Sequence, residues 1–200
     1  MVITAEQVRQ LRARTGAGVM DCKKALQECQ GDLERAASYL RKEGISKAEQ
    51  RQTRVAAEGR VSSYIHGKGK IGVLVEVNCE TDFVAQTDEF QAFCKDLAMH
   101  VAAEDPKFLR REEVPEAVLA EEREIYRAQA LKEGKPEKVV DRIVEGRLEK
   151  FFQQTCLLEQ PFVRDPDRTV GQLLQETRAR LGENIIIRRF VRFRLGEDLE

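Results

Sequence analysis

Through residues 1–43 the apolar positions recur every three or four residues, and glycines interrupt them; this pattern predicts short amphipathic helices. Thr4 is placed as an N-cap with Gln7 as its capping-box partner, and Val8 and Leu11 follow at helical spacing. Gly16-Ala17-Gly18 breaks the run. A second helix carries Met20, Cys22, Ala25, Leu26 and Cys29. Gly31-Asp32 supplies a stop and a new N-cap. The third helix presents Leu33, Ala36, Ala37 and Leu40, and Gly44 is placed to end it. Three helices in so short a stretch predict a small bundle of modest stability, better suited to docking than to catalysis. Residues 45–59 hold Lys47, Arg51 and Arg54 and no apolar face, so they read as a linker, helical in part and solvated.

From Arg60 the period changes to two. Ser63-Tyr64-Ile65-His66 reads as a strand, Gly67-Lys68-Gly69-Lys70 as a turn, and Ile71, Val73, Val75 and Val77 as the buried side of a second strand. The turn glycines are not a phosphate loop, because their spacing is wrong and no helix follows directly. After a connection over 78–87, Thr87 caps a helix whose Phe90, Phe93, Cys94, Leu97, Ala98 and Val101 share one face. Asp105-Pro106 ends it. Pro115 and Pro136 open two further helices around Gly134, which predicts an antiparallel helical hairpin over about 115–155. Gln160-Pro161-Phe162 is extended, and Thr169 with Gln172 forms another capping box. The last strand spans 185–195 with Ile185, Ile187, Val191, Phe193 and Leu195 on one side. The predicted fold class is α+β: a docking bundle over 1–44, a linker over 45–59, and a core domain over 60–200 with an antiparallel sheet and helices on one face.

Composition narrows the function. The chain has 200 residues, 42% hydrophobic and 34% charged, with a formal net charge of −1. That balance lacks the basic footprint of a dedicated nucleic-acid binder, so no direct nucleic-acid contact is expected. No run approaches a membrane span, and the N-terminus has no signal or transit pattern, so a cytoplasmic protein is expected. The five cysteines are odd in number and widely spaced, which fits buried, reduced thiols better than a zinc site or a disulfide framework. No metal and no cofactor is expected on this chain.

The candidate chemistry concentrates in a few places. Asn78-Cys79-Glu80-Thr81-Asp82-Phe83-Val84-Ala85-Gln86 joins a strand to a capped helix yet carries two large apolar groups, Phe83 and Val84. Phe83 either folds back onto the core or stands out beside an acid as a knob for a partner's pocket. Cys79 as a nucleophile would need His66, one of only two histidines with His100, as its base and an orienting third group, and no such signature surrounds it. Arg188, Arg192 and Arg194 share one face of the last strand with Phe190; they suit RNA stacking, a charge-protected edge or a strand that pairs with a partner subunit. The Gly16-Ala17-Gly18-Val19-Met20 turn is a connector or a partner-contact surface.

Two segments carry a specific resemblance. One is Leu11-Arg12-Ala13-Arg14-Thr15-Gly16-Ala17-Gly18-Val19-Met20-Asp21-Cys22-Lys23-Lys24-Ala25-Leu26. The other is Glu76-Val77-Asn78-Cys79-Glu80-Thr81-Asp82-Phe83-Val84-Ala85. With Ala98-Met99-His100, Glu145-Gly146-Arg147, Gln160-Pro161-Phe162-Val163 and Gly182-Glu183-Asn184-Ile185, they make the chain resemble the elongation factor Ts family along its whole length. The resemblance implies a non-enzymatic guanine-nucleotide exchange factor for the translation GTPase elongation factor Tu. Such a factor binds the GDP form, displaces magnesium and GDP, and is released on GTP binding. It implies a ubiquitin-associated-like first domain in which Arg12, Val19 and Met20 dock on the GTPase. The family more often has methionine where Val19 stands, so that contact is smaller here. Thr81, Asp82, Phe83 and Val84 match the segment associated with dislodging magnesium. Long members carry two copies of the core subdomain and this chain has room for one, which implies a homodimer paired through the last strand or the 115–155 helices. The other readings of the residues are a helix-binding adaptor, an RNA binder and a cysteine enzyme.

Overall fold

The computed structural model describes residues 3–197, without the side chains of residues 45 and 47–49; the readings that touched Met1, Val2 and the Lys47 side chain lie outside the described residues. The elements run α1 (Ala5–Thr15), α2 (Val19–Glu28), α3 (Leu33–Arg51), β1 (Glu58–His66), β2 (Ile71–Cys79), α4 (Asp82–Ala85), α5 (Asp88–Glu104), a short 3-10 turn (Arg111–Glu113), α6 (Glu116–Lys132), α7 (Glu137–Thr155), β3 (Pro161–Phe162), β4 (Asp165–Thr169), α8 (Val170–Leu181) and β5 (Ile186–Arg194). The main sheet has the order β1-β2-β5, and β3 pairs with β4 antiparallel in a second, two-stranded sheet. Three N-terminal helices followed by an antiparallel sheet with helices is the α+β architecture the periodicities predict. No helix among the described residues is long and apolar enough to cross a membrane.

Contacts divide the chain into two compact units. One gathers residues up to 60 with 76–93 and 174–188, the other 61–75, 94–173 and the residues from 189 on. In the first unit α1, α2 and α3 close over Leu11, Cys22, Ala25, Leu26, Cys29 and Ala36. Thr4 and Gln7 form the reciprocal capping box, and Gly16 ends α1 in the left-handed region at φ 68°.

Gly44 does not end α3. The helix runs through it to Arg51, and a Cβ built at residue 44 would lie 3.1 Å from Ala179 Cβ of α8. The glycine therefore serves close helix approach, which offsets the roughly 1 kcal/mol that glycine costs inside a helix. Nor is the stretch after α3 a free tether. Asn184 Nδ2 donates to the carbonyls of Gln52 (3.2 Å) and Arg54 (2.8 Å), and Asn78 Nδ2 donates to that of Ala56 (3.2 Å).

In the second unit α6 and α7 form the helical hairpin over a core of Val114, Leu119, Ala130, Val140, Val144, Leu148 and Cys156. Arg111 stacks 4.6 Å from the Phe152 ring centre while pairing with Glu149 and Glu159. His100 is fully buried. Its Nδ1 accepts from Val163 N (3.2 Å), which leaves Nε2–H to donate to Gln160 Oε1 (2.9 Å). The Gln160 amide in turn donates to the carbonyls of Glu104 and Gln154. The histidine and glutamine motifs are thus spent on a satisfied buried network.

β5 departs from the predicted single face. Ile185 and Ile187 are buried, whereas Val191, Phe193 and Leu195 are exposed. Arg192, by contrast, is drawn in to 9% side-chain exposure, with Nε donating to Ala102 O (3.4 Å) and Nη1 lying 3.4 Å from Asp105. Arg188 pairs with Glu76. Two of the three arginines of the RNA reading are thus already paired with acids.

Candidate functional site

The connection after β2 is not irregular: it contains a single helical turn. β2 alternates cleanly and ends on buried Cys79, whose thiol donates to the carbonyl of Thr81 over 3.1 Å. Thr81 is extended at φ −130°, ψ 153°, and its Oγ1 accepts from Val84 N, so it N-caps α4. At the far end Thr87 Oγ1 donates to Val84 O (2.8 Å) and accepts from Phe90 N (3.2 Å), coupling α4 to the start of α5. Ala85 and Phe90 are buried and anchor the turn from beneath.

With both ends fixed, the remaining positions must face outward. Phe83 is 82% exposed. Asp82 is exposed beside it in the first turn, and Val84 is half-buried. An aromatic ring left in water on a capped turn gains nothing for the fold; burial against another surface would stabilise it by about 1.5–3 kcal/mol. The structure thus excludes the reading in which Phe83 folds back onto the core.

Behind this turn lies a polar clasp that periodicity did not reveal. Glu183 Oε2 accepts from the backbone N–H groups of Glu80 (3.0 Å) and Thr81 (3.1 Å), and its Oε1 accepts from Thr81 Oγ1 (2.6 Å). In return Glu80 Oε1 accepts from Asn184 N (2.7 Å), while its Oε2 meets Arg54 at 3.3 Å. Glu183 is 102 positions from Thr81, so only the motif Gly182-Glu183-Asn184-Ile185 hinted that the segment mattered.

The second set of predicted site residues lies in the bundle. Arg12 is exposed on α1. Val19 and Met20 open α2, both exposed, Met20 by 74%. The corner is folded from within: Thr15 Oγ1 donates to Leu11 O (2.7 Å) and accepts from Ala17 N (3.3 Å). Gly18 precedes α2 without a side-chain cap, and Val19 and Met20 stand side by side in the helix's first turn. Beside this corner is a cleft of about 520 Å³. Its walls mix Arg14, Arg41 and Arg180 with Glu43 and Glu176, and Arg41 is already paired with Glu176.

The cysteines are not set up as nucleophiles. All five cysteines are free and buried. Burial, helped by the charge of Glu183, pushes the Cys79 thiol up to about 11, so it stays protonated and un-nucleophilic at neutral pH. Among the described residues no group of three His, Cys, Asp or Glu side chains is placed to hold a metal ion.

Comparison with known proteins agrees with the sequence motifs. A family model described as Elongation factor TS matches residues 26–197. The chain is 62% identical over 199 residues to Elongation factor Ts of Thermoanaerobacter sp. (strain X514), covering 100% of this chain and 98% of that protein. It is 60% identical over 198 residues to Elongation factor Ts of Heliobacterium modesticaldum, covering 99% and 92%. Elongation factor Ts of Geobacter sulfurreducens is 60% identical over 200 residues, covering 100% and 93%.

Proposed function

The chain belongs to the elongation factor Ts family, and from that premise we propose that it is the guanine-nucleotide exchange factor of elongation factor Tu, acting by binding rather than by covalent catalysis. The observation that carries the proposal is Phe83, an aromatic side chain 82% exposed on a turn whose two ends are fixed by Thr81 and Thr87. A rigid, solvent-facing ring enters a partner's pocket without the ordering cost a mobile loop would incur. Asp82, beside it, brings a carboxylate to the same place. On the GTPase, such a pair competes with the groups that hold magnesium, and once magnesium is lost the diphosphate loses its main counter-charge.

The energetics are those of negative coupling. The factor weakens nucleotide binding, and nucleotide weakens factor binding by the same factor. Speeding GDP release about 10³–10⁵-fold requires roughly 4–7 kcal/mol of barrier reduction. The bundle supplies the affinity, with Arg12, Val19 and Met20 on the GTPase's nucleotide domain. The Thr81–Val84 turn supplies the release step. GTP, abundant in the cytoplasm where translation runs, then rebinds and expels the factor. No cofactor is required on this chain.

A second copy of the chain completes the active species. Val61, Ile65 and Leu74 on β1 and β2, and Phe193 on β5, are all exposed, as is Leu195 just beyond β5. Large apolar groups concentrated on strands in this way suit a pairing surface.

The test is release of fluorescent GDP from elongation factor Tu followed by stopped flow. The chain at saturation accelerates it by orders of magnitude. An unaltered release rate would overturn the proposal and favour a simple adaptor.

A further inference from the structure

We propose that Glu183 is a positioning residue for the exchange step, aiming the Phe83 turn through Thr81; the inference rests on the function proposed above. Thr81 has one hydroxyl proton and must do two things. Its oxygen has to point a lone pair at Val84 N to cap α4. Its proton therefore has to go elsewhere, and it goes to Glu183 Oε1 at 2.6 Å. The other carboxylate oxygen takes the N–H groups of Glu80 and Thr81, neither of which has a strand partner once β2 has ended at Cys79. A single carboxylate thus fixes the direction of the hydroxyl and of two consecutive peptide planes just before Asp82 and Phe83. Charge-assisted bonds of this kind are stronger and more directional than bonds to water.

The clasp is reciprocal, and that makes it stiff. Glu80 returns a bond to Asn184 N, the residue after Glu183, and Asn184 is fully buried with its amide on the carbonyls of Gln52 and Arg54. Gly182, in the left-handed region at φ 72°, ends α8 and turns the chain so that Glu183 and Asn184 follow at once. Beneath the clasp the Cys79 thiol holds the carbonyl of Thr81. The knob's direction is therefore set in part by the residues that follow α8, remote in sequence, and not by the turn alone.

The experiment compares wild type, Glu183→Ala, Glu183→Gln, Phe83→Ala and the Glu183→Ala/Phe83→Ala double variant. Catalysed GDP release at saturating factor is measured, with amide hydrogen exchange of each free variant. Glu183→Ala is expected to slow release about tenfold, the consequence of losing the charge-assisted contacts to Glu80 N, Thr81 N and Thr81 Oγ1. Glu183→Gln keeps one acceptor oxygen for the two N–H groups but neither the charge nor the acceptor for the Thr81 hydroxyl, and recovers part of that loss. In the Phe83→Ala background Glu183→Ala adds little, because the residue acts mainly through the direction of the ring. Exchange at the amides of Glu80 and Thr81 quickens in Glu183→Ala, while that of Leu26 in the bundle core is unchanged. Wild-type release by Glu183→Ala overturns the inference. So does an effect that multiplies with Phe83→Ala, or a loss of protection at Leu26, since each marks a purely structural role. If wild type itself fails to accelerate release, the functional proposal falls separately.

Discussion

The Cys79 thiol donates to the carbonyl of Thr81 across 3.1 Å, two residues on, at the point where β2 gives way to the exposed turn. A thiol is a weak donor, and this one is fully buried, so its partner matters more to the turn's shape than to the stability of the fold. Its chemistry follows from burial. The thiol is pushed from an ordinary 9.0 to about 11, first by burial and then by the nearby Glu183 carboxylate. Because the folded state holds the proton more tightly, stability is unaffected below pH 9 and falls as pH rises from there toward 11. Cys79 is also expected to resist alkylation by iodoacetamide at pH 8 in the folded protein. Mass spectrometry after a timed exposure checks this, and rapid labelling of Cys79 at pH 8 would contradict it.

Phe83 and Phe90 form a matched pair of aromatic residues with opposite jobs. Phe90, in the first turn of α5, is fully buried, and Phe83 stands in solvent. Phe90→Ala is expected to cost about 3–5 kcal/mol in urea unfolding, the usual toll for an emptied aromatic site. Phe83→Ala should leave the unfolding midpoint where it is yet slow GDP release from elongation factor Tu by at least tenfold, a loss of about 1.4 kcal/mol or more of barrier lowering. Equal effects of the two substitutions on stability would mean that Phe83 packs on its own chain.

Much of this architecture was legible because it is periodic. Val73, Val75 and Val77 announce a strand, Thr4 with Gln7 and Thr169 with Gln172 announce helix starts, and the prolines at 115 and 136 frame the hairpin. What stayed hidden was either too short or too remote to be periodic. Four residues of α4 complete barely one turn, so their helical character left no trace. Gly44 carries the local signature of a stop, and only Ala179, far along the chain, explains why the helix continues. On β5 the alternation persists in the residue types, but Arg192 is drawn in and Phe193 is left out, because Asp105 and the Ala102 carbonyl together hold the guanidinium. The motifs around residues 12–20 and 81–84 supplied the candidate site; the outward direction of Phe83 and the Glu183 clasp needed coordinates.

His100 gives the protein an acid-sensitive point. Burial holds its imidazole below the ordinary 6.5, against the opposing pull of Gln160 and Glu104. Above pH 6.5 the ring is neutral whether folded or not. Below it the unfolded chain takes up a proton that the folded chain resists, so stability declines as pH falls through 6.5 toward the depressed value. His100→Gln keeps a neutral amide in place of the ring and should flatten this part of the profile at some cost in stability. Thermal unfolding at pH 7.0, 6.0 and 5.5 checks it; the same decline in His100→Gln would assign it to other groups.

The α3–α8 contact can be tested by moving its small residue. At Gly44 an added methyl removes the backbone penalty of glycine, about 1 kcal/mol. It also presses on Ala179 Cβ at 3.1 Å, tighter than an ordinary carbon contact. The two terms nearly cancel for Gly44→Ala. Gly44→Leu has no such offset and should destabilise by about 1–3 kcal/mol through overpacking. The swap Gly44→Ala/Ala179→Gly returns the space and should sit closer to wild type than the sum of its single changes, as expected for residues in contact. Additive effects in urea titrations would show that the helices do not depend on this approach.

Pairing of two copies makes a prediction about charge. Phe193 is 66% exposed and Ile65, on β1, is nearly as open, so neither contributes much to the fold of the isolated chain. Replacing Ile65 by lysine should therefore leave unfolding within about 0.5 kcal/mol, the usual range for a surface change. In a dimer closed over these strands the same lysine is buried without a partner, which costs several kcal/mol. Twofold symmetry places it in the interface twice, doubling the penalty. Sedimentation at micromolar concentration is expected to show a dimer for wild type and a monomer for Ile65→Lys and for Phe193→Glu. If both variants still sediment as dimers, the strands are not the pairing surface, and the exposed Ile125 and Leu131 of α6 become the residues to change next.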